Sequence, residues 1–184
     1  MAFEASRRAG RYWDDAITLD QMIKEYNFNT TGKNERDFEN GLSAVLDARK
    51  NRFNCTVMSQ INKETKVSSV YCFGKNHRPD MTLDENGIAI ELKFTDYSGL
   101  KDAIGQGYMY RLQYRFVFLI LVIKDTKKEF YSDLCIGKEH PMEDMLQHLA
   151  DHMNIFTYIV PSFKVKPGMK KCHSYFLPAS DLAD

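Results

Sequence analysis

An unbroken run of eight apolar residues, Phe116–Ile123 (FVFLILVI), constrains the fold more than any other feature of this chain. The run is far shorter than the roughly 20 residues that a membrane helix needs. A strand that is apolar at every position is buried on both of its faces. The run therefore predicts a strand at the centre of a sheet.

The overall composition indicates one globular domain, with 43% hydrophobic and 27% charged residues in a chain of 184. The 25 basic side chains equal the 25 acidic ones, so contacts with nucleic-acid phosphates would have to come from local patches. The amino-terminal sequence lacks the apolar segment of a signal peptide, and no membrane contact is expected. The four cysteines contain no C-x-x-C pair, and reduced thiols in a cytoplasmic protein are the simplest interpretation.

Residues 78–94 (RPDMTLDENGIAIELKF) predict a β-hairpin, because the DENG sequence between two apolar-rich segments favours a tight reversal. Side chains alternate faces along a strand, so Glu91 and Lys93 stand on the face opposite to an apolar row. That row is Ile88, Ile90, Leu92 and Phe94. Asp80 can lie across the hairpin from Glu91, and a hard divalent cation would relieve the repulsion between the two carboxylates. The alternative is a surface hairpin with a weak salt bridge.

Several elements are predicted before this hairpin. They are a helix at Leu19–Tyr26, a helix over residues 34–50, a strand over residues 51–60 and a short strand at Val70–Phe73. Asn34 is the expected N-cap of the second helix. Glu35 and Glu39 border its apolar face, because each lies three residues before an apolar residue of that face. Either acid can also be an ordinary solvated helix residue.

A further helix, Leu100–Tyr114, is predicted between the hairpin and the buried strand. Gln106 and Tyr110 lie one turn apart on one face of it. Gly105 and Gly107 each lower helix propensity by about 1 kcal/mol relative to Ala, which indicates that this helix approaches the sheet or a ligand backbone closely. The order helix, strand, hairpin, helix, buried strand predicts an α/β fold with a central mixed sheet flanked by helices.

The carboxyl-terminal part is predicted to contain an edge strand at Phe130–Ile136, a helix at Pro141–Asn154 and a strand at Ile155–Val160. A Pro-Gly turn follows, surrounded by Lys164, Lys166, Lys170 and Lys171. These lysines could bind a nucleic-acid backbone or could form a soluble sheet edge. Within one domain of 1–184 we expect an arm and helix over 1–33, a catalytic core over 34–123 and a strand-helix-strand extension over 124–184.

Pro79-Asp80 followed by Glu91-Leu92-Lys93 resembles the PD-(D/E)XK motif of the restriction-endonuclease-like nuclease superfamily. The pair Gln106 and Tyr110 resembles the glutamine-tyrosine motif of the exonuclease branch of that superfamily. The sequence around Glu39 (DFE…L..VL) is similar to the first helix of the restriction enzymes that attack modified DNA. The resemblance covers about half of the chain, 34–123, and implies the αβββαβ core of these nucleases.

The resemblance also implies a site that binds Mg²⁺, for which Mn²⁺ would substitute. Its metal ligands would be Asp80, Glu91, the Leu92 carbonyl and Glu39. Lys93 would orient the attacking water or offset phosphoryl charge, and Gln106 would hold Lys93 or the substrate backbone. Glu39 is the preferred acid of the first helix, where it would bind a second ion or a water held by a metal ion, and Glu35 is the reserve.

The predicted function is Mg²⁺-dependent hydrolysis of DNA phosphodiester bonds, by an endonuclease in restriction, repair or mobile-element defence. The alternatives are a catalytically inactive nucleic-acid-binding module on the same fold and a ribonuclease. The expected nucleic-acid contacts are Arg78, Lys101, Tyr110, Lys164, Lys166, Lys170 and Lys171. Cutting two strands needs two active sites, which a homodimer would provide.

Overall fold

The computed structural model of the protein describes residues 8–30, 34–61, 66–95 and 97–176. Helices flank a mixed central sheet, as the sequence predicts for an α/β fold. The helices are α1 (Arg11–Glu25), α2 (Glu35–Ala48), α3 (Tyr97–Tyr110), α4 (Lys128–Cys135) and α5 (His140–Met153). The strands are β1 (Val57–Ser59), β2 (Val70–Cys72), β3 (Lys75–His77), β4 (Met81–Leu83), β5 (Ile88–Thr95), β6 (Phe116–Ile123), β7 (Ile155–Pro161) and β8 (His173–Tyr175). Residues 1–7 of the expected arm and 177–184 of the expected extension lie outside the described residues.

Within the described residues, the main sheet has six strands in the order β1-β4-β5-β6-β7-β8, and β2 and β3 form a separate two-stranded sheet. The three central strands, β5, β6 and β7, are parallel, whereas the outer pairs are antiparallel. Every residue of Phe116–Ile123 is buried, so the prediction of a central strand is confirmed. The physical reason is that helices cover both faces of a parallel sheet, and a polar side chain would have no solvent on either side.

Helices α1 and α2 pack on the face of the sheet that receives the apolar row of β5. The Phe38 ring of α2 lies 5.2 Å from the ring of Phe94. Trp13 of α1 packs against Phe116, whose ring centroid is 5.5 Å away. Position 116 pairs with position 88 of β5, so the same face continues across the sheet.

Helices α3, α4 and α5 pack on the opposite face. A Cβ added at Gly107 of α3 would lie 3.2 Å from Leu119 of β6 and 3.3 Å from Ile155 of β7. Close approach to the sheet therefore explains Gly107. Nothing lies within 4 Å of a Cβ added at Gly105, so the same explanation does not hold for that residue.

Four predicted elements differ from the structure, among them α3, which covers Tyr97–Tyr110 rather than Leu100–Tyr114. Helix α1 begins at Arg11 rather than Leu19, and β1 covers Val57–Ser59 rather than 51–60, since a 3₁₀ turn occupies Lys50–Arg52. The predicted edge strand at Phe130–Ile136 is wrong, because these residues belong largely to helix α4. Their buried members are Phe130, Tyr131 and Leu134, a spacing of one helical turn that a short apolar run does not distinguish from a strand.

Cys55, Cys72, Cys135 and Cys172 are all free thiols, as expected from their spacing. Within the described residues, no helix combines the length and the apolar character that crossing a membrane requires.

Candidate active site

The hairpin predicted from the sequence is formed by β4 and β5. Met81 pairs with Ile90 and Leu83 with Ile88, so the residue before β4, Asp80, lies next to Glu91 on the neighbouring strand. Asp84 begins the turn with a left-handed φ of 57°. Its carboxylate accepts a hydrogen bond from the Thr56 N–H at 2.8 Å, which fixes the turn to the segment before β1.

Asp80, Glu91 and Lys93 converge on one site. The Lys93 Nζ lies 2.8 Å from Glu91 Oε1, and Asp80 Oδ2 accepts a hydrogen bond from the Leu92 N–H at 2.8 Å. The Glu91 side chain is 3% exposed and that of Lys93 is 22% exposed, so the pair is not a surface salt bridge. The Leu92 side chain is buried in the core, and the role of its carbonyl stays a prediction.

Helix α2 brings an acidic residue to this cluster through its first turn. Asn34 caps the helix, because its side chain accepts a hydrogen bond from the Asp37 N–H at 3.0 Å. Glu35 follows the cap, and its carboxylate accepts a hydrogen bond from the Phe94 N–H at 3.0 Å and from Lys93 Nζ at 3.3 Å. Glu35, the reserve choice from the sequence, thus contacts β5 directly.

Helix α3 supports the cluster from the other side. The Tyr110 hydroxyl donates a hydrogen bond to Glu91 Oε2 at 3.0 Å, and the residue is only 1% exposed. Tyr110 was expected to contact nucleic acid, but its buried hydroxyl positions Glu91. One turn earlier, Gln106 Oε1 is buried and has no hydrogen-bond partner among the described residues.

Negative charge exceeds positive charge in this cluster. Burial, followed by the charge of Glu91, raises the pKa of Asp80 to about 8, and Glu39 adds to the shift although the Leu92 N–H opposes it. Burial also raises the pKa of Glu91, against the opposing effects of Lys93 and Tyr110. For Glu39, burial and then Glu35 raise the pKa. Each shift has the same cause, a carboxylate that is partly removed from water close to others.

Lys93 is the one ammonium group among these carboxylates in the described residues. Burial alone would lower its pKa, but Glu91, Asp80 and Glu35 together raise it above its ordinary value. Lys93 therefore keeps its proton at neutral pH and acts as a charged hydrogen-bond donor.

Asp80 and Glu91 present carboxylate oxygens, the kind of donor that a hard divalent cation such as Mg²⁺ prefers. Among the described residues, no group of three or more His, Cys, Asp or Glu side chains is arranged to hold a metal ion. Mg²⁺ nevertheless binds commonly through one or two carboxylates, with water and substrate as its other ligands. Asp80 and Glu91 supply two such groups with raised pKa values, and the buried Gln106 oxygen on α3 lacks a hydrogen-bond partner among the described residues. Glu39 as a further ligand stays a prediction.

The remaining predicted contacts lie on the surface. Arg78 is exposed directly before Pro79-Asp80, and Lys101 is exposed on α3. Lys164, Lys166, Lys170 and Lys171 are exposed in the loop between β7 and β8, in which the Met169 N–H closes the Pro-Gly turn on the Lys166 carbonyl. The loop begins at the end of β7, which lies two strands, or about 10 Å, from β5.

Comparison with known proteins finds no relative: no family model, no curated protein and no solved structure matches the chain.

Proposed function

We propose that the protein is a Mg²⁺-dependent endonuclease that hydrolyses DNA phosphodiester bonds on a restriction-endonuclease-like αβββαβ core. The observation that carries the proposal is the convergence of Asp80, Glu91 and Lys93 on one edge of the hairpin. The order α2, β1, β4, β5, α3, β6 supports it, with the β2–β3 hairpin as an insertion.

Two carboxylates and one ammonium suit the hydrolysis of a phosphodiester. Asp80 and Glu91 would hold Mg²⁺, which when bound supplies the positive charge that stabilises phosphoryl oxygens and acidifies water. The Lys93 ammonium keeps its proton, so its contribution is to donate a hydrogen bond to the phosphate or to the attacking water. Tyr110 and Leu92 N–H hold the two acids in place, and preorganisation of this kind lowers the reorganisation cost during the reaction.

The test is nicking of supercoiled plasmid DNA with Mg²⁺, with Mn²⁺ and with EDTA. We expect nicking by the wild type with either metal ion and none with EDTA. Lys93→Ala should lower the rate at least about 100-fold, the scale of losing one charged donor at the reacting phosphate. Glu91 is buried although it stands on the face of β5 opposite to the apolar row, so Glu91→Gln, which keeps the size of the side chain, is the appropriate substitution there.

Lys24 provides a matched control, because it also pairs with a largely buried acid, Asp20, at 2.9 Å. Lys24→Ala should nick at nearly the wild-type rate. If Lys93→Ala and wild type nick equally well, the proposal is wrong. DNA binding without nicking would indicate an inactive binding module, and cleavage of single-stranded RNA alone would indicate a ribonuclease.

A further inference from the structure

The β2–β3 hairpin exposes two aromatic side chains to solvent. Tyr71 is 71% exposed and Phe73 is 89% exposed, the largest values among the exposed large hydrophobic residues of the described chain. Burial of an aromatic ring is strongly favourable, so a pair of exposed rings on one short hairpin suggests a surface that a partner covers.

The turn of this hairpin holds Phe73 in an unfavourable backbone conformation. Phe73 and Gly74 are the two turn residues between Cys72 and Lys75, and their φ values are 49° and 72°. Asn and Gly are the residues that normally occupy such a turn, whereas a bulky side chain with positive φ is strained. The turn thus carries a residue that costs stability and presents its ring to solvent.

The base of the hairpin is fixed to the domain. Val67 and Val70 are buried in the core, and the Tyr114 hydroxyl donates a hydrogen bond to the Ser68 carbonyl at 3.0 Å. Both strands contact α3, the helix that positions Glu91. The hairpin that carries the aromatic rings is therefore packed on α3, on the same side of the sheet as the candidate active site.

The hairpin is also locally basic in a chain whose formal net charge is zero. Residues 66–79 contain Lys66, Lys75 and Arg78, together with His77, and no Asp or Glu. Phe73 precedes Asp80 by seven residues, which limits its distance from the site to about 25 Å along an extended chain. At about 3.4 Å per nucleotide, that distance corresponds to about seven nucleotides.

We propose that Phe73 and Tyr71 form a stacking finger for unpaired bases, so that the preferred substrate contains single-stranded nucleotides within about seven of the cleaved phosphate. This inference rests on the proposed nuclease function. Aromatic rings bind single strands by stacking on exposed base faces, while nearby cations track the backbone. In an intact duplex those base faces are covered by neighbouring bases, so the finger gives no comparable advantage there.

The test measures binding of a fluorescein-labelled dT20 oligonucleotide and of a 20-base-pair duplex by anisotropy, in EDTA so that nothing is cut. Phe73→Ala should weaken single-strand binding by about 5- to 100-fold, the range expected for one lost stacking contact. Duplex binding should change less than about 2-fold, because duplex affinity comes mainly from phosphate contacts.

Three further variants sharpen the test. Phe73→Trp keeps a stacking ring and should bind single strands like the wild type, whereas Phe73→Leu keeps an apolar side chain without a ring and should resemble Phe73→Ala. Ile136→Ala is the control, since Ile136 is 67% exposed at the end of α4 and should have no effect. Wild-type binding by Phe73→Ala or Phe73→Leu would overturn the stacking finger.

The two proposals fail separately. Nicking that depends on Lys93, without any effect of Phe73 on binding, would remove the finger and leave the nuclease. Binding that depends on Phe73, by a protein that never nicks, would remove the nuclease and leave the stacking finger. A dimer in sedimentation that Phe73→Ala converts to monomer, with unchanged DNA affinity, would show a surface for self-association and overturn the finger.

Discussion

Two triads in this protein share the same chemistry, a buried acid bound by a lysine and by a tyrosine hydroxyl. In the first, Asp20 accepts hydrogen bonds from Lys24 Nζ and from the Tyr158 hydroxyl, each at 2.9 Å. In the second, Glu91 Oε1 lies 2.8 Å from Lys93 Nζ, and Oε2 accepts a hydrogen bond from the Tyr110 hydroxyl at 3.0 Å. The first triad lies between α1 and β7, and the second between α3 and β5.

The difference between the triads lies in what surrounds them. The Asp20 triad balances one acid with one ammonium, and burial and then Asp20 raise the pKa of Tyr158 so that it stays a neutral donor. Around Lys93, in contrast, stand Asp80, Glu91, Glu35 and Glu39. The charges of Asp20 and Lys24 neutralise each other, which is sufficient for a structural role. An excess of partly buried negative charge, in contrast, lowers stability unless a cation binds. Removing the charge of Asp80 should therefore stabilise the metal-free protein, whereas removing Asp20 should destabilise it.

The largest such effect should come from Asp80→Asn, which we expect to stabilise the metal-free protein. The folded state raises the pKa of Asp80 from 3.8 to about 8, so it binds this proton more tightly than the unfolded state does. The stability of the wild type must then fall as pH rises from about 4 to about 8. Asparagine has no proton to lose, so the gain should be near zero at pH 4 and on the order of 5 kcal/mol at pH 9, since each pKa unit corresponds to about 1.4 kcal/mol.

Urea unfolding from pH 4 to pH 9 in EDTA measures this gain, with Asp80→Asn beside the wild type. Addition of Mg²⁺ supplies the control, because it should stabilise the wild type and leave the variant unchanged. Equal pH dependence in both proteins would contradict the idea that charge imbalance defines this site.

The matching change in the balanced triad, Asp20→Ala, should destabilise the fold by about 2 kcal/mol at pH 7. It leaves the fully buried Tyr158 hydroxyl without its acceptor, and an unsatisfied buried donor costs about 1–3 kcal/mol. Urea unfolding measures the loss. In the double variant Asp20→Ala/Tyr158→Phe the unpaired hydroxyl is gone, so part of the stability should return, and a further loss would show that the hydrogen bond is not the cause.

Most of the fold could be predicted because local patterns determined it. The apolar run of β6 has one physical solution, burial on both faces, and the alternation in β5 places Glu91 and Lys93 together on one face. Asn34 was expected as the cap of α2, and its side chain accepts the Asp37 N–H. These predictions depend on neighbours in sequence, so one chain is sufficient to make them.

The parts that the sequence leaves open or misassigns depend on how elements pack. The choice between Glu35 and Glu39 depends on how α2 crosses β5, which the helical pattern does not contain. Glu35 makes the direct contacts with β5, and Glu39 as a metal ligand stays a prediction. Helix periodicity likewise does not say which face of α3 meets the sheet, so it did not predict that the Tyr110 hydroxyl is buried against Glu91. At Phe130–Ile136 a short apolar run fits both a strand and a helix.

The smallest predicted effect comes from removing the N-cap of α2, Asn34, which precedes Glu35. Asn34→Ala should lower stability by about 1 kcal/mol, since it removes the side-chain acceptor of the first turn. Glu35 is in that turn, so its contacts with Phe94 N–H and Lys93 should loosen as well. We expect a lower melting temperature together with plasmid nicking reduced about 3- to 10-fold, the effect of misplacing one group without deleting it.

Asn34→Ser is the matched variant, because serine caps a helix nearly as well as asparagine. It should restore both the melting temperature and the nicking rate. If Asn34→Ala melts earlier but nicks at the wild-type rate, Glu35 serves only to attach α2 to β5. The excess of acids that distinguishes this triad from that of Asp20 would then act in cleavage through Asp80 and Glu91 alone.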